Sequence, residues 1–376
     1  MRLAVVGYPV LSKRQWLLCS EFEEIGVETH IIVPEYWEEI PESDEPDENA
    51  PFTVHRLNPI FNGKSGVYLL RNLSDALRDI DPDAVITHGE PWELITLATG
   101  HNCRKLDLKH VGFSWENLER IPQSLPKRQL ERVGFRQIDG AIAGSEAANR
   151  RLRNRGFKGP TITAPQTGVD TEMFSPDLDG KAVRSKFGIE PDSDVVLYAG
   201  RLSHEKGINI LLDAIPRILS SEPQTEFLIL GTGPLTQNLS EMISNLSRSD
   251  QVNLITDRQP YSLMPNIYNA ADVFVYPSIT VPEWAEQFGY AAAEAMSCSV
   301  PVVTTECGAL PYVVGEGGLV CPERDAGALA QQTLKLLSNK EYRKKVAVAA
   351  RDRVDSQFSL RQVAEDHLSI VERLSR

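Results

Sequence analysis

The stretch EQFGYAAAEAM, residues 286–296, decides how the rest of the chain is interpreted. It follows an apolar run, residues 272–276, that is typical of a buried strand. The second half of the stretch is rich in good helix formers, so we predict a helix that begins near Gly289. Glu286 then lies in the loop before this helix. Glu294 lies about two turns inside it, roughly 12 Å from Glu286 at a rise of about 1.5 Å per residue.

Two carboxylates at that separation suit one long ligand better than one metal ion. The predicted helix N-terminus lies between them, and its backbone N–H groups and helix dipole favour an anion. A ligand with a hydroxyl-rich group at each end and a phosphate in the middle fits these features, and a nucleotide-diphosphate sugar has that shape. Taken alone, the pair is more typical of a helix-start carboxylate followed by a solvated helix residue.

Two cations upstream strengthen the first interpretation. A predicted strand at 195–200 runs directly into a loop that carries Arg201 and Lys206, and a helix is predicted from Gly207. Open α/β sheets bind ligands beyond the carboxyl ends of their strands, which is where both cations would lie.

Composition limits the class of protein. The chain has 376 residues, which is enough for two α/β domains with full cores, and 24% of its residues are charged. It has no apolar run near the ~20 residues of a membrane span, and its first residues are typical of a strand and not of a secretory signal. Its five widely spaced cysteines favour neither a disulfide framework nor a zinc site. We therefore predict a cytoplasmic protein.

Strand-like and helix-like segments alternate along both halves of the chain, which predicts parallel sheets with right-handed crossovers. The predicted strands are 2–8, 29–34, 52–57, 84–88, 110–115, 140–144, 161–164, 195–200, 226–230, 252–256, 272–276, 301–305 and 318–321. Among the predicted helices are 15–25, 67–80 and 127–137. A turn-rich stretch predicts domains at 1–170 and 191–358, with a linker at 171–190.

Six ordered segments between about residues 160 and 320 resemble glycosyltransferase family 4. They are TGVDTEMFSP, AGRLSHEKGINILLDAI, FLILGTGP, NAADVFVYPS, EQFGYAAAEAMSCSVPVV and CGALPYVVGEGGLV. The resemblance implies a retaining enzyme with the GT-B fold, in which two facing Rossmann-like domains with parallel sheets enclose a deep interdomain cleft. It also implies an acceptor-binding first domain, a donor-binding second domain, and a last helix, about 359–376, that packs back on the first.

The resemblance implies roles for residues of the second domain. Arg201 and Lys206 would grip the donor diphosphate, Glu294 would bind the ribose, and Glu286 would contact the donor sugar. Phe288 and Gly289 would offer backbone N–H groups, and Gly231 and Gly233 would let backbone approach the nucleotide. Fixed cations stabilise a departing diphosphate more than the bound donor, so they can replace a divalent metal.

No metal site or other cofactor is expected. Three Asp-x-Asp pairs, at 81–83, 177–179 and 192–194, match the letters of a metal-binding motif of a different glycosyltransferase fold. One pair precedes a predicted strand where a ligand site would follow it, and the other two lie in turn-rich sequence. All three are typical of turns.

On the acceptor side the chain departs from the commoner family pattern. The first loop has one glycine, Gly7, and the fifth strand ends without the usual histidine. Glu116 and Asn117 would occupy that place, and His88 or Glu90 would point to the same region. These residues are equally typical of ordinary loop and cap positions, and no general base can be named.

Residues 101–160 are basic, with thirteen Lys and Arg against six Asp and Glu, although the chain's net charge is −13. Lys127, Arg128, Arg132 and Arg136 recur at near-helical spacing. Such a stripe indicates either peripheral contact with an anionic membrane or a solvated helix face. Nucleic acid is disfavoured because no binding module accompanies the stripe and the overall charge would repel a polyanion.

Together these features predict a glycosyltransferase. It would move a hexose-type sugar from a nucleotide-diphosphate sugar to a glycan or lipid-linked acceptor, in the cytoplasm or at the inner face of the membrane. The alternatives are a sugar-nucleotide epimerase of the same fold and a regulatory protein that binds nucleotide sugars without turnover.

Overall fold

The computed structural model describes residues 1–38, 50–118 and 124–375. The chain divides into two compact units. Unit 1 comprises Met1–Gly168 and Leu360–Arg376, and unit 2 comprises Val169–Ser359.

Within the described residues of unit 1, seven parallel strands form one sheet in the order β3-β2-β1-β6-β7-β8-β9. These strands are β1 Arg2–Val6, β2 Glu28–Pro34, β3 Thr53–Leu57, β6 Ala84–Thr87, β7 Lys109–Ser114, β8 Gly140–Ala143 and β9 Thr161–Thr163. A small antiparallel pair consists of β4 Pro59–Ile60 and β5 Leu69–Leu70. The apolar side chains of β1, such as Leu3 and Val5, are almost fully buried and lie at the centre of the core.

Helices connect these strands as the alternating pattern predicts. They are α1 Lys13–Glu24, α2 Leu73–Ile80, α3 Leu94–Leu106, α4 Leu125–Gly134 and α5 Glu146–Asn154. The last helix of the chain, α14 Leu360–Ser375, belongs to unit 1, where it packs against α1 and the strands β7, β8 and β9.

Within unit 2, six parallel strands form a second sheet in the order β12-β11-β10-β13-β14-β15 across the part of the chain that is described. They are β10 Val195–Ala199, β11 Glu226–Leu230, β12 Val252–Ile255, β13 Val273–Tyr276, β14 Val302–Thr305 and β15 Gly318–Cys321. The helices of unit 2 are α6 Lys181–Lys186, α7 Ile208–Ser221, α8 Thr236–Ser244, α9 Met264–Asn269, α10 Tyr290–Ser297, α11 Leu310–Val314, α12 Ala326–Leu337 and α13 Lys340–Gln357.

The thirteen predicted strands are all present among the described residues, each within two residues of its predicted ends. The helix predicted at 67–80 is shorter than expected and begins only at Leu73. Asn72, just before it, adopts a left-handed backbone conformation with φ 59°, which a helix cannot include. Tyr68 is fully buried and packs edge-on against Tyr8 and Trp37. The residues just before the helix are therefore extended and contribute a side chain to the core.

The stretch 171–190, expected as a linker, is instead part of unit 2. Phe174 is buried against the rings of Tyr261 and Tyr268. Arg184 pairs with Asp272 at 2.8 Å and also donates to the carbonyl of Ala270. The turn-rich composition did not predict these contacts, because the partners of Phe174 and Arg184 lie about ninety residues downstream.

No helix in the described parts of the chain is long and apolar enough to cross a bilayer.

Candidate active site

Loops at the carboxyl edge of the second sheet bring together several of the predicted donor residues. β10 and β13 are neighbours in that sheet, so the loop after each strand begins beside the other. The loop after β10 carries Arg201 and Lys206, and the loop after β13 carries Glu286. Parallel strands place all such loops at one edge, which is where open α/β sheets bind ligands.

The ammonium of Lys206 lies at the centre of this group. Its Nζ donates to Oε2 of Glu286 at 2.7 Å and to the hydroxyl of Tyr276 at 2.9 Å. The side chains of Lys206 and Glu286 are only 16% and 9% exposed, so water screens this ion pair much less than a surface pair. The ring centroid of Trp284 lies 4.5 Å from the same Nζ, which adds a cation–π contact.

The position of Glu286 is set by contacts on both its side chain and its backbone. Ser278 Oγ donates to Oε2 at 3.0 Å, and the backbone carbonyl of Glu286 accepts from Ala309 N at 2.9 Å. Its backbone N–H points at Cys307 Sγ, 3.4 Å away. Gly308 adopts φ +57°, and a Cβ there would lie 2.0 Å from the Glu286 carbonyl oxygen, so only glycine allows this approach.

Tyr276 contributes a neutral hydroxyl to the group. Burial, and after it the charge of Glu286, raises the pKa of Tyr276 well above its usual value of 10. The hydroxyl therefore stays protonated at neutral pH and accepts from Lys206 through its oxygen.

Sequence reasoning missed Trp284 and the clamp that holds its loop. Val281 and Trp284 exchange two backbone hydrogen bonds, of 2.9 and 3.2 Å, around a tight turn. Glu323, just after β15, accepts from Thr280 N at 2.7 Å and from Thr280 Oγ1 at 2.6 Å. Arg324 donates to the Thr280 carbonyl at 2.5 Å. The sequence offered two hints of a structured loop: the Pro282-Glu283 turn signal and the eight residues that separate Pro277 from Glu286.

The glycines of this edge permit close packing between loops. Gly207 adopts φ +67°, and a Cβ there would lie 1.8 Å from the Pro277 carbonyl oxygen. Gly231 and Gly233 were expected to let backbone approach a nucleotide. In the structure they approach protein backbone, because a Cβ would lie 1.8 Å from Gly200 O and 2.3 Å from Leu202 O, respectively.

Glu294 is buried, with 4% of its surface exposed. Helix α10 begins at Tyr290 with Gly289 as its N-cap, so Glu294 lies about one turn inside the helix and not two. Its Oε1 accepts from the hydroxyl of Tyr261 at 2.8 Å, and its Oε2 accepts from the hydroxyl of Tyr268 at 3.0 Å.

The remaining donor-side residues differ in exposure. Arg201 is exposed, and its backbone carbonyl accepts from Tyr198 Oη at 2.8 Å. Phe288 is buried against Phe358, with ring centroids 5.2 Å apart. Gly289 adopts φ +92°, a backbone conformation that favours glycine where the loop turns into α10.

In unit 1, His88 is a core residue. It is 2% exposed, and its ring stacks on Phe113 at a centroid distance of 5.6 Å. Burial, and then the proximity of His367, lowers the pKa of His88 to about 3. The structure therefore places His88 in the core, and its contact with an acceptor stays a prediction. A Cβ on Gly7 would lie 2.9 Å from the carbonyl oxygen of His88, so Gly7 allows β1 and β6 to end close together.

Glu90 clamps the loop that follows β7. Its Oε2 accepts from Ser114 Oγ at 2.6 Å, and its Oε1 accepts from the backbone N–H groups of Trp115 and Glu116 at 2.7 and 3.0 Å. Burial, followed by the charge of Glu116, raises the pKa of Glu90 to about 7. Because both oxygens bind the loop, Glu90 positions that loop in this structure, and its contact with an acceptor stays a prediction.

Glu116 is half-buried and lies between cations. Its Oε1 accepts from Trp92 Nε1 at 2.9 Å and from Lys127 Nζ at 2.7 Å, and its Oε2 pairs with Arg151. Arg151 also donates to the buried Glu131 at 2.8 Å. Asn117, the other residue predicted on the acceptor side, is half-buried next to Glu116.

These ion pairs reduce the number of free cations in the predicted basic stripe. Lys127 lies 3.9 Å from the ring centroid of Trp92 and is neutralised by Glu116, so it is not a free surface cation as predicted. Arg128, Arg132 and Arg136 are exposed on or just after α4.

The three Asp-x-Asp pairs have structural contacts. Asp83 accepts from Arg2 N at 2.7 Å, Asp179 accepts from Lys181 N at 2.8 Å, and Asp194 pairs with Arg343 at 2.7 Å. Within the ranges that the structure describes, no three His, Cys, Asp or Glu side chains are grouped so that they could hold a metal ion.

Two family models match the chain in succession. Residues 15–173 match the model described as Glycosyltransferase Family 4, and residues 179–353 match that described as Glycosyl transferases group 1. Only a short segment separates the two matches, so together they span both units. The chain belongs to glycosyltransferase family 4. As a whole it matches a crystal structure of Anabaena HepE in complex with UDP at a TM-score of 0.77, with 18% identity over 100% of this chain and 99% of that one.

Two curated relatives are more similar in sequence. The GDP-mannose-dependent monoacylated α-(1-6)-phosphatidylinositol monomannoside mannosyltransferase of Corynebacterium glutamicum is 27% identical, over 65% of each chain. The D-inositol 3-phosphate glycosyltransferase of Segniliparus rotundus is 33% identical over 52% of this chain and 43% of its own length. The match thus spans less than two thirds of either relative. The chain has two units, each with a parallel sheet, and it matches the HepE structure over its whole length. In a family 4 chain these two findings identify the GT-B fold.

Proposed function

We propose that this family 4 protein is a retaining glycosyltransferase that takes a hexose-type sugar from a nucleotide-diphosphate sugar and transfers it to a glycan or lipid-linked acceptor. The observation that carries the proposal is the Lys206–Glu286 pair at 2.7 Å, held at the carboxyl edge of the second sheet with the buried Glu294 eight positions beyond. A largely buried cation, an adjacent carboxylate and a second buried carboxylate match the three parts of a nucleotide sugar.

In this proposal Lys206 and the exposed Arg201 bind the diphosphate. As the bond between the anomeric carbon and the phosphate oxygen breaks, negative charge grows on the leaving group, and a fixed cation stabilises that state most. The acceptor hydroxyl attacks from the face that the leaving group vacates, and its proton passes to the departing phosphate oxygen, which becomes more basic as the bond breaks. The configuration at the anomeric carbon is therefore kept.

Glu286 has two tasks in the same scheme. Its carboxylate orients Lys206, and it offsets positive charge that develops at the anomeric carbon. No divalent metal is required because the two cations supply the counter-charge to the diphosphate.

The names of the relatives support a nucleotide-sugar donor and a hydroxyl-bearing acceptor. One relative is named as GDP-mannose-dependent and as acting on a phosphatidylinositol mannoside, and the crystallised HepE was also studied with UDP-glucose. These names differ in base and sugar, so we leave the base and the sugar of the donor open.

Membrane contact is part of the proposal in a revised form. Arg128 and Arg132 are exposed on α4, as are the apolar side chains of Leu125 and Val133, which are 74% and 43% exposed. Cations beside exposed apolar groups suit an anionic bilayer surface, which would bring the protein to a lipid-linked acceptor on the cytoplasmic face.

Thermal stabilisation by a panel of nucleotide sugars tests the donor. GDP-mannose, UDP-glucose, UDP-N-acetylglucosamine, ADP-glucose and dTDP-glucose would be compared with and without EDTA. We expect one or two to raise the melting temperature equally in both conditions. Dependence on added magnesium or manganese would contradict the metal-free scheme.

Product analysis separates the proposed activity from its alternatives. NMR of the product with a stabilising donor should show a new glycoside with the donor's anomeric configuration. A free epimerised sugar would indicate the epimerase, and binding without turnover across glycan and lipid acceptors would favour a regulatory protein.

A further inference from the structure

The two tyrosines that bind Glu294 differ in their surroundings. Tyr268, on α9, is 1% exposed and is part of the core. Tyr261 is 43% exposed, although its hydroxyl reaches a carboxylate that is itself only 4% exposed. Its side chain therefore extends from the surface to a buried acceptor.

Tyr261 belongs to a short segment at the ligand-binding edge of the sheet. It opens a single 3₁₀ turn, Tyr261–Leu263, that follows the loop after β12. Glu294 reaches the same region from α10, which follows β13. The Tyr261 ring packs against Phe174 in a T-shaped arrangement at a centroid distance of 5.6 Å, and 43% of the residue is exposed to solvent.

Phe174, which packs against the Tyr261 ring, is held in place by hydrogen bonds to its backbone. Its carbonyl accepts from Ser297 Oγ at 2.6 Å and from Arg351 Nη1 at 2.9 Å. The neighbour of Tyr261 is thus held in place, while Tyr261 itself lies in a three-residue turn at the surface.

The hydrogen bond from Tyr261 to Glu294 is of the kind a ribose would make. A vicinal diol offers two O–H donors, and a carboxylate offers two oxygens to receive them. In this structure each of the two oxygens already receives a tyrosine O–H. Of these two donors, the exposed one can leave without opening the core.

We propose that Tyr261 is a displaceable plug: its hydroxyl occupies one carboxylate oxygen of Glu294, and the ribose of a nucleoside diphosphate takes its place on binding. The inference rests on the proposed function, because it requires a nucleotide at Glu294. Tyr268 keeps its bond and orients the carboxylate in both states.

Calorimetric titration with UDP, GDP, ADP and dTDP tests the plug. Tyr261→Phe keeps the ring on Phe174 and removes only the competing hydroxyl, so it should bind the preferred nucleotide about tenfold more tightly than the wild type. Tyr268→Phe is the matched control. It removes the other hydroxyl from the same carboxylate and should bind no more tightly than the wild type.

A double substitution checks that the gain acts through Glu294. In a Glu294→Ala background, Tyr261→Phe should change the affinity less than twofold, because the hydroxyl no longer competes for an acceptor. Should the Glu294→Ala proteins fail to fold, ¹⁹F NMR of the wild-type sequence with 3-fluorotyrosine at position 261 provides the second measurement. Its resonance should shift on addition of the nucleotide that binds.

The outcomes distinguish the plug from the proposed function. Tyr261→Phe that binds equally or more weakly than the wild type overturns the plug and leaves nucleotide binding intact. A ¹⁹F resonance unchanged at saturating nucleotide does the same. If neither protein binds any of the four nucleotides, the plug and the proposed function both fall.

Discussion

Lys206 Nζ and Glu286 Oε2 lie 2.7 Å apart although the two residues are eighty positions apart in the chain. The cation proposed to hold the diphosphate is therefore paired with the carboxylate proposed to face the sugar. A donor must share this cation with Glu286, so the two residues should act as one unit.

Replacing Glu286 with Gln should separate binding from turnover. The amide keeps the shape but no longer competes for Lys206, so KM for the donor should stay the same or fall, while kcat drops at least tenfold because the charge near the anomeric carbon is lost. Glu283→Gln, at an exposed position on the same loop, is the control and should leave both constants unchanged. Full kcat in Glu286→Gln would show that the assigned role is wrong.

Replacing Glu294 with Ala should chiefly weaken nucleotide binding. Loss of its bonds to a ribose costs ground-state affinity, so Kd for the nucleoside diphosphate should rise at least tenfold, while kcat at saturating donor changes less. Stability should also fall, by about 1–3 kcal/mol, because the buried 3.0 Å hydrogen bond from the hydroxyl of Tyr268 is lost. Titration calorimetry and urea unfolding measure the two effects, and unchanged affinity would exclude Glu294 from the nucleotide site.

The clamp between Thr280 and Glu323 should matter for activity more than for stability. Thr280→Val removes the 2.6 Å bond from Oγ1 and loosens the loop that carries Trp284 and Glu286. We expect kcat/KM to fall about three- to tenfold. Thr333→Val is the control, because it removes a fully buried hydroxyl that bonds only within α12, at 2.9 Å to the Leu329 carbonyl. Equal losses of activity in both variants would mean that the effect is general destabilisation.

The stability of unit 1 should fall as pH rises from 7 to 8.5. Burial, and then the charge of Glu90, raises the pKa of Glu93 to about 9 from an ordinary 4.5. Over this range the folded state holds a proton on Glu93 that the unfolded chain has released, so Glu93 lowers the free energy of unfolding by up to about 1.4 kcal/mol per pH unit. Glu90, whose pKa is raised to about 7, adds a slope of the same sign near pH 7. The buried His88, His110 and His367, with pKa values lowered to about 3, 4 and 4, are neutral in the folded state. In the unfolded chain they lose their remaining charge just above pH 7, so they add only a small slope of the opposite sign at the start of the range.

Glu93→Gln tests this assignment. Urea unfolding followed by tryptophan fluorescence should show a flatter pH dependence than the wild type between pH 7 and 8.5. Cysteine thiols are unchanged in this variant, so the difference in slope reports Glu93 together with its electrostatic interaction with Glu90. Parallel curves for the two proteins would mean that Glu93 is ionised in the folded state.

Exposed cations of α4 and the residues after it should govern membrane binding. Changing Arg128, Arg132 and Arg136 to Gln should weaken co-sedimentation with anionic liposomes by about 1 kcal/mol per cation engaged, and the wild-type binding should fall with salt. The triple change of Lys340, Lys344 and Lys345 to Gln removes the same charge from an exposed face of α13 and is the control. Equal binding by both variants, or none by the wild type at low salt, would leave α4 as a solvated helix.

Much of the fold follows from local sequence patterns. Each strand of the two parallel sheets is a short apolar run between turn signals. Both faces of such a sheet are buried, so consecutive residues of each strand are apolar and the strand can be predicted from the sequence. The start of α10 was equally predictable, because Gly289 and the alanines after it set a local helix boundary. The residues of the ordered family segments, among them Lys206 and Glu286, could be assigned to one sheet edge by the same reasoning.

What the sequence by itself determined is therefore the α/β class, the strands and the candidate donor residues, since these depend on neighbours in the chain. Only the tertiary structure decided which of the candidates are paired. Lys127 is paired with Glu116, and His88 lies in the core beside Phe113. Glu294 accepts hydrogen bonds from two tyrosines about thirty residues upstream. Each of these contacts depends on which strands become neighbours and how their loops pack, and neither periodicity nor composition records that.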